Sequence, residues 1–391
     1  MPQIKKIAIF AHLTPDHISN LIGLKQGFEA LGVDVLTSWP QPDGKILNSI
    51  IENYRPDAII EINRHKDQIE GVVHPFFHVC IIYDYRSHDT VYTNTTCASD
   101  LYYSILTPSG FDFPAELDAK CKPFMLGFNQ NALSMAKRKE KAFEIGFAGF
   151  MGNASAYTGN FMKRLIDPKH PELGRVLDLI KFIGIRPQTL NEWNYPFKVR
   201  RKVEEYMRGR GFPEFKFIDH AYHLIFRMCE DGFVRMTNRN HLCTQIIETS
   251  DSVAFWGPDM WKLWPKFKPY YQGELFSVTA LFEAYSSLKI NVHCTGTNLH
   301  NRVVDTLASG TPLAMMRNEA DDGRFGVDQF LEADKHYISF TFDNFKEKIR
   351  HYLDNPQKLA EISKAAKEIV HAKFTWEERC KIILADLESS L

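Results

Sequence analysis

Residues 288–316 constrain the fold more than any other part of the sequence. They read as a short β-branched strand, a polar loop, a short helix, a glycine and a second strand. Residues 289–293 suit a buried parallel strand, and Gly310 stands where a glycine ends a helix. A strand that leads through a helix to another strand is the repeating unit of an α/β fold with parallel pairing.

The short helix of this stretch is a candidate anion site. Asn298 or Asn301 is expected to cap it, and its N-terminus would lie at the carboxyl end of a parallel strand. Backbone N–H groups and the helix dipole favour an anion there, and Arg302 adds guanidinium donors. Asp305, one turn further along, suits the hydroxyls of a ribose. The residues leave a plainer alternative open, in which Arg302 and Asp305 form an ion pair on an ordinary helix.

The N-terminal half alternates strands and helices in the same way. Strands are expected at 5–11, 33–37, 57–62, 78–83, 101–106 and 124–126, with helices at 18–31 and 45–54. Polar residues follow the strand ends, which is where ligands bind in open parallel sheets. We therefore expect these residues to line one crevice: His12, Asp16, His17, Arg64, Asp84, Arg86 and His88.

The pattern breaks and restarts near the middle of the chain. Residues 129–141 are polar and charged and read as a linker between a first domain, 1–128, and a second, 142–374. A strand at 144–150 precedes a loop in which Gly149 and Gly152 permit close backbone approach. Residues at about 155–235 form a longer segment than one crossover needs and suggest a helical insertion.

Composition narrows the function classes. With 391 residues, two domains are the default, and a net charge of −1 argues against broad nucleic-acid binding. No apolar run reaches the length of about 20 residues that a membrane span needs. The 7 cysteines are scattered without a paired motif, which is typical of reduced thiols in a cytoplasmic protein, and neither a zinc site nor another metal site is expected.

The C-terminal third carries a resemblance to a known family. Its motifs are VAFWG, YYQGEL, LFEAYSSLKINVH, NRVVDTLASGTPL, FDNFKEKIRHYLDNPQKL and FTWEERCKIIL, in order from about residue 251 to 391. This part resembles the C-terminal domain of GT-B glycosyltransferases, close to the CgeB-like, group-1 (family 4) type. The N-terminal half matches more loosely, through IIEINR and IIYDYR at strand ends, and residues 155–235 do not match.

The resemblance implies an α/β fold of two Rossmann-like domains that face each other across a cleft. The nucleotide-sugar donor would lie on the C-terminal domain and the acceptor on the N-terminal one, to which the last helix, 375–391, would return. Family members of this type work without a metal ion and usually retain the anomeric configuration. The implied activity is hexosyl or pentosyl transfer from a nucleotide-diphosphate sugar, such as a UDP-sugar, in the cytoplasm and without a further cofactor.

The resemblance also implies roles for single residues. Asp305 stands where the family has the glutamate that holds the ribose, whereas Thr297 stands where the family has its first glutamate. Arg302, with His300 beside it, would neutralise the diphosphate. The phosphates and sugar would be wrapped by Thr295, Gly296, Thr297, Asn298 and Asn301. The base would be held by Tyr271, Gln272 and Leu275, and the turn after the first strand of the domain would be formed by Gly149 and Gly152.

The acceptor side is less specific. Asp16, His17, Asp84 or His88 would touch the acceptor or the donor sugar, with Arg64 and Arg86 as further substrate contacts. The acceptor would be a hydroxyl of a glycan, protein or lipid; a nucleic acid such as a modified DNA base fits the near-neutral charge less well. Two alternatives remain, a GT-B-like nucleotide-sugar epimerase and a non-catalytic nucleotide-sugar-binding protein, the latter suggested by Thr297.

Overall fold

The computed structural model describes most of both halves of the chain. The described residues are 4–12, 15–83, 97–111, 113–152, 235–295, 298–318 and 320–390. Five residues predicted to belong to the site lie outside them: Asp84, Arg86, His88, Gly296 and Thr297. The side chain of Asp16 and nearly all of the predicted insertion also lie outside.

The first sheet is parallel and has the order β2-β1-β3-β4-β5-β6. Its strands are β1 (Lys6–Phe10), β2 (Asp34–Ser38), β3 (Ala58–Ile62), β4 (His78–Ile82), β5 (Leu101–Ser104) and β6 (Cys121–Pro123). β3 and β4 are buried along their whole length, as expected of central strands in a sheet covered on both faces. The carboxyl ends of all six strands therefore meet at one edge.

The second sheet is also parallel and has the order β12-β11-β10-β7-β8-β9. Its strands are β7 (Phe143–Ala148), β8 (Val253–Trp256), β9 (Tyr271–Gly273), β10 (Leu288–His293), β11 (Leu313–Met316) and β12 (Ile338–Phe340). Two six-stranded parallel sheets with helices between the strands confirm the predicted fold class of two Rossmann-like units.

Helices connect the strands and cover the sheets. The described α-helices are α1 (Pro15–Ala30), α2 (Gly44–Asn53), α3 (Glu116–Lys120), α4 (Gln130–Met135), α5 (Arg235–Thr249), α6 (Val278–Ser286), α7 (Asn301–Ala308), α8 (Phe345–Asp354), α9 (Pro356–Lys373) and α10 (Trp376–Ser390). Capping side chains fix several starts: Asp43 accepts from Ile46 N–H before α2, and Ser277 accepts from Ala280 N–H before α6.

The last helix packs against the first half of the chain. Trp376 at the start of α10 fills space next to Gly23 and Gly127, where a Cβ would collide with its indole ring. The hydroxyl of Tyr103 donates to the Asp386 carboxylate at 2.6 Å. The glycines are therefore needed because the tryptophan approaches the backbone too closely for a side chain.

Some predicted element boundaries were wrong. α1 begins at Pro15, within the segment predicted as a polar turn, because a proline suits the first position of a helix. The strand expected at 124–126 is Cys121–Pro123 instead. Within the segment expected to be a turn at 270–275, Tyr271–Gly273 pairs with β8 as an edge strand. The predicted linker contains α4, which Asn129 caps through Ala132 N–H.

Candidate functional site

The helix α7 begins beside the carboxyl end of β10, and His300 is its N-cap. His300 has an extended backbone, and its Nδ1 accepts a hydrogen bond from Arg302 N–H at 3.2 Å. The expectation that Asn298 or Asn301 caps the helix was wrong. Asn298 turns toward Asp321, and Asn301 is the first residue of the helix.

The Arg302 side chain reaches from the first turn of α7 to the carboxyl end of β7. Its Nη1 donates to the Ala148 carbonyl at 3.0 Å. A Cβ on Gly149 would lie 3.1 Å from the same nitrogen and 2.8 Å from the Phe147 ring. Gly149 N–H is itself bonded to the Trp256 carbonyl at 2.9 Å. Gly149 is thus a close-approach glycine, and the side chain that approaches it is the predicted phosphate ligand.

Arg302 and Gly149 flank the point where the strand order of the second sheet reverses. From β7 the chain continues to β8 and β9 on one side and then to β10, β11 and β12 on the other. The loops after β7 and β10 therefore diverge and leave a crevice at the carboxyl ends of these two strands. Gly149 follows β7, and α7 follows β10, so this crevice is the expected place for a ligand.

Asp305 lies one turn beyond Arg302 and is only 7% exposed. Both charges act on the buried phenol of Tyr285: burial raises the pKa of Tyr285, the Asp305 carboxylate raises it further, and the Arg302 guanidinium lowers it. A carboxylate this deeply buried is costly unless it has hydrogen-bonding partners. Asp305 lies on the wall of the cleft in front of α7.

A cleft of about 530 Å³ opens in front of α7. Its wall includes six of the predicted site residues: Gly149, Leu275, His300, Asn301, Arg302 and Asp305. Ser19, on α1, also lines it, so both halves of the chain contribute. The volume falls within the range of about 300–1,000 Å³ that is typical of small-molecule sites.

Several residues of the cleft wall were not predicted. Trp256, Phe150 and Phe276 supply aromatic surface, and Glu274 adds a carboxylate. Phe276 is 87% exposed and Phe150 44% exposed, so both rings present accessible surface to the cleft. Trp256 and Glu274 belong to the VAFWG and YYQGEL motifs, so the motifs carried a signal for them, although apolar strand residues usually indicate only a core.

Two residues assigned to base binding lie elsewhere. The Tyr271 hydroxyl donates to the Gly257 carbonyl at 2.8 Å and also bonds the Asp259 carboxylate at 3.1 Å, which holds the turn after β8 against β9. Gln272 is exposed and bonds the Tyr270 carbonyl at 3.3 Å. Neither lines the cleft.

The loop before α7 is fixed by side chains that point away from the cleft. Thr295 lies 3.3 Å from the His293 ring, and its carbonyl accepts from Asn318 Nδ2 at 3.1 Å. Asn298 Nδ2 donates to both carboxylate oxygens of Asp321, at 3.0 and 2.9 Å.

Gly152, in the loop after β7, was also predicted to be a cleft residue. Its backbone N–H donates to the sulfur of Met236, with an N···S distance of 2.9 Å. None of Thr295, Asn298 and Gly152 lines the cleft.

Asp321 is the buried anchor of this loop. Burial raises the pKa of Asp321 from 3.8 to about 6, although the Asn318 backbone N–H and the Asn298 amide act to lower it. Asn318 N–H donates to Asp321 Oδ2 at 2.7 Å. The loop that leads into α7 is therefore held by a carboxyl group whose ordinary charge is disfavoured by its surroundings.

The first sheet has its own reversal point, between β1 and β3. From β1 the chain goes to β2 on one side and then to β3 and β4 on the other. His12 follows β1, and Asn63 follows β3 with a left-handed backbone, φ 58°. These two residues therefore flank the crevice of the first sheet.

His17 lies behind this crevice and is completely buried. Its ring centroid is 6.1 Å from that of the half-buried His12 and 5.4 Å from that of Tyr83, which it meets edge-on. Asn63 Nδ2 lies 3.3 Å from His17 Nε2. His12, rather than His17, presents accessible surface in this structure.

Arg64 does not line the cleft. Its Nε donates to Glu61 at 2.7 Å, its Nη2 pairs with the same carboxylate, and its Nη1 donates to the Pro42 carbonyl at 2.7 Å. Burial acts to raise the pKa of Glu61, but hydrogen bonds from His78 and Arg64 hold it below its ordinary value. Arg64 therefore compensates a completely buried carboxylate inside the first sheet.

The two halves meet at Asn301. The Tyr83 hydroxyl donates to Asn301 Oδ1 at 2.7 Å, and Asn301 Nδ2 donates to Asn20 Oδ1 at 3.4 Å. Asn20 is almost fully buried, and its Nδ2 has no partner among the described residues. Asn301, which was predicted to wrap the phosphates, thus also connects α7 to the first half of the chain.

Asn20, Asn63 and Tyr83 were missed by sequence reasoning. Two of them stand in the motifs IIEINR and IIYDYR, which marked strand ends without indicating which polar residue matters. Their importance depends on contacts between residues far apart in the sequence, which a local pattern does not contain.

Two further properties concern the described residues only. No group of three or more His, Cys, Asp or Glu side chains is arranged there to hold a metal ion. None of the helices in that part of the chain combines the length and apolar character needed to cross a membrane.

Known proteins resemble this chain both in sequence and in structure. Residues 238–385 match the model of a family described as "Glycosyl transferase-like". The structure resembles a glycosyltransferase from Rickettsia africae ESF-5, with 9% identity, a TM-score of 0.53, and 100% of this chain and 99% of that chain covered. It also resembles Anabaena Alr3699/HepE crystallised with UDP-glucose, with 11% identity, a TM-score of 0.51 and both chains covered to 100%. No curated protein matches the sequence.

Proposed function

We propose that the chain is a glycosyltransferase that transfers a sugar from a uridine-diphosphate sugar to a hydroxyl acceptor, since residues 238–385 match a glycosyltransferase-like family and the fold is that of GT-B glycosyltransferases. The observation that supports this proposal most directly is the position of Arg302 at the start of α7. It lies in a cleft that residues of both halves of the chain line. A guanidinium beside the positive end of a helix dipole is a favourable environment for a diphosphate. The similar Anabaena structure contains UDP-glucose, which supports uridine as the nucleoside.

The remaining cleft residues suit the nucleoside. Asp305 is placed to accept hydrogen bonds from ribose hydroxyls, one turn from the phosphate ligand. The exposed Phe150 and Phe276 offer aromatic faces of the kind on which nucleic-acid bases stack. In this proposal Leu275 remains near the base, whereas Tyr271 and Gln272 support the turn that carries it.

Arg302 and the N-terminus of α7 provide the catalytic charge. Negative charge grows on the leaving diphosphate as the sugar–phosphate bond breaks, and fixed donors lower the free energy of that state. Transfer would therefore proceed without a bound metal ion, and with retention of the anomeric configuration as the family resemblance implies. Thr297, in place of the family's glutamate, means that the donor sugar is held by a different set of contacts.

The acceptor would bind on the first half, residues 1–128 with the last helix, while residues 142–374 bind the donor. His12 and His17 supply imidazoles near the crevice of the first sheet, and Asp16, Asp84, Arg86 and His88 remain proposed contacts. Arg64 is not among the proposed contacts, because its guanidinium is paired with the Glu61 carboxylate. A glycan, protein or lipid hydroxyl is the proposed acceptor class.

Thermal unfolding in the presence of nucleotides tests the donor assignment. A ligand that binds only the native state raises the apparent stability according to its affinity, by about 2.7 kcal/mol at a hundredfold excess over Kd. UDP and UDP-glucose should raise the melting temperature of the wild type more than ADP or GDP does. Arg302→Ala should lose most of this shift, and the exposed-arginine variant Arg138→Ala, its matched control, should respond like the wild type.

Transfer and product analysis then separate the remaining classes. Sugar transfer to a panel of glycan, lipid and peptide acceptors should survive EDTA, and the anomeric proton of the product should report retention. Strict dependence on added metal would contradict the catalytic assignment. Conversion of the nucleotide sugar to an epimer without any acceptor would replace the proposal with an epimerase.

A further inference from the structure

Asn63 joins three parts of the first half. It is almost fully buried, and its backbone N–H donates to the Ile81 carbonyl at 3.0 Å. Its Oδ1 accepts from Tyr83 N–H at 2.7 Å, and its Nδ2 lies 3.3 Å from His17 Nε2. One amide thus ties the end of β3 to the residue after β4 and to the first turn of α1.

The orientation of this amide also fixes the proton on His17. Because Oδ1 is the only acceptor atom of the amide and is bonded to Tyr83 N–H, the group that faces His17 is the donor Nδ2. His17 Nε2 must then accept, which places the ring proton of the neutral imidazole on Nδ1. In this arrangement the Asn63 amide favours the tautomer of His17 that carries its proton on Nδ1.

Tyr83 carries the arrangement to the donor side. Asn63 fixes its backbone, the His17 ring packs against its ring, and its hydroxyl donates to Asn301 at the start of α7. The separation along the chain between Tyr83 and Asn301 is 218 residues. The helix that holds Arg302 is thus aligned with the first half through a contact that depends on Asn63.

A simpler role for Asn63 would be conformational. Its φ of 58° lies in the left-handed region, where asparagine is tolerated better than most residues. Glycine, however, adopts this region at no steric cost. If the backbone were the whole reason for asparagine, glycine would serve at least as well.

We infer that Asn63 is a positioning residue for sugar transfer: it touches no substrate but sets His17 and Tyr83 against the start of α7. The inference rests on the proposed function. A group held in the wrong place by about 1 Å can reduce turnover by about 100-fold. Removing the amide should therefore reduce kcat while leaving the UDP site on the second half intact.

The test is Asn63→Gly in the full-length chain, which removes the amide and keeps the backbone allowed. Arg55→Gly is the matched control, since Arg55 is exposed with a φ of 53° and lies outside the cleft wall. Asn63→Gly should lower kcat by about 100-fold, with the KM for UDP-glucose and the UDP-induced shift in melting temperature unchanged. Arg55→Gly should match the wild type in all three.

Tyr83→Phe is the second variant, which keeps the inference testable if Asn63→Gly does not fold. It removes only the hydroxyl that bonds Asn301, worth about 1 kcal/mol, so kcat should fall by about fivefold. Wild-type kcat in folded Asn63→Gly, or in Tyr83→Phe if the first variant does not fold, would overturn the inference alone. Absence of UDP binding by the wild type would instead overturn the proposed function, and the inference with it.

Discussion

The two halves of the chain bring their polar residues together in different ways. On the second half, His300, Arg302 and Asp305 come from the N-cap and body of one eight-residue helix, and Gly149 adds space for the arginine. On the first half, His17, Asn63 and Tyr83 come from three separate elements and meet only in the folded chain. A local motif can specify the first arrangement, whereas only packing produces the second.

Under the proposed function, the second half would act through direct contacts with the donor and these residues of the first half through positioning. Substitutions on α7 should then remove binding or charge stabilisation outright. Substitutions around Asn63 should change turnover while donor binding persists.

The largest effect is expected for Arg302→Ala. Loss of one preorganised donor to a developing negative charge typically lowers kcat by about 100-fold to 1,000-fold. The fold should persist, because the Nη1 bond of Arg302 ends on one backbone carbonyl, that of Ala148. Steady-state transfer and circular dichroism measure the two properties. Near-normal turnover would contradict the role of Arg302 as a phosphate ligand, and with it the contrast between the two halves of the chain.

The second-largest effect is expected in the pH dependence of the free energy of unfolding, to which Asp321 contributes. Because its folded-state pKa is raised from 3.8 to about 6, the folded chain binds more protons than the unfolded chain between these values. This stabilising contribution is fully present below about pH 3.8 and is lost as the pH rises through about 6, amounting to about 3 kcal/mol.

Asp321→Asn should lack this pH dependence, since an amide does not titrate. The free energy of unfolding from denaturant titrations, compared at about pH 4 and about pH 7, should show the variant gaining on the wild type as the pH rises. A constant difference between the two proteins would mean that the loop before α7 is not held by a perturbed carboxyl group.

The smallest of these effects is expected for Asp305→Ala. Hydrogen bonds to charged groups contribute about 1.5–3 kcal/mol, so UDP affinity should fall by about 10-fold to 100-fold. A nucleotide without ribose hydroxyls, 2′,3′-dideoxy-UDP, should bind the wild type and the variant equally. The exposed Asp251 gives the control Asp251→Ala. Equal loss for both nucleotides would move the ribose contact elsewhere and leave Asp305 with a structural role.

The sequence allowed much of the fold to be predicted. Periodicity and strand-end polarity gave the two parallel α/β units, since burial on both faces of a sheet leaves a clear apolar run. Errors arose where tertiary contacts set the boundary. Tyr271–Gly273 is a strand only because β8 offers it an edge, and the capping role fell to His300 because Asp321 binds Asn298.

The candidate site was predicted unevenly for the same reason. Arg302, Asp305 and Gly149 lie on the cleft wall as the local pattern suggested, and their roles stay predictions. Arg64 faces a buried carboxylate instead, because Glu61 sits three residues earlier at the same strand end and is completely buried. Strand-end position alone does not distinguish a ligand contact from such a partner.

The sequence by itself determined the architecture and predicted the kind of donor site, because strand periodicity and a helix that carries Arg302 and Asp305 are local properties. Tertiary structure decided which polar residues face the cleft and which hold others in place. Asn63 is one of several polar residues at strand ends in the sequence, and its contacts with His17 and Tyr83 exist only after β1, β3 and β4 have paired. Hydrogen bonds between distant residues depend on geometry that only the packed chain supplies.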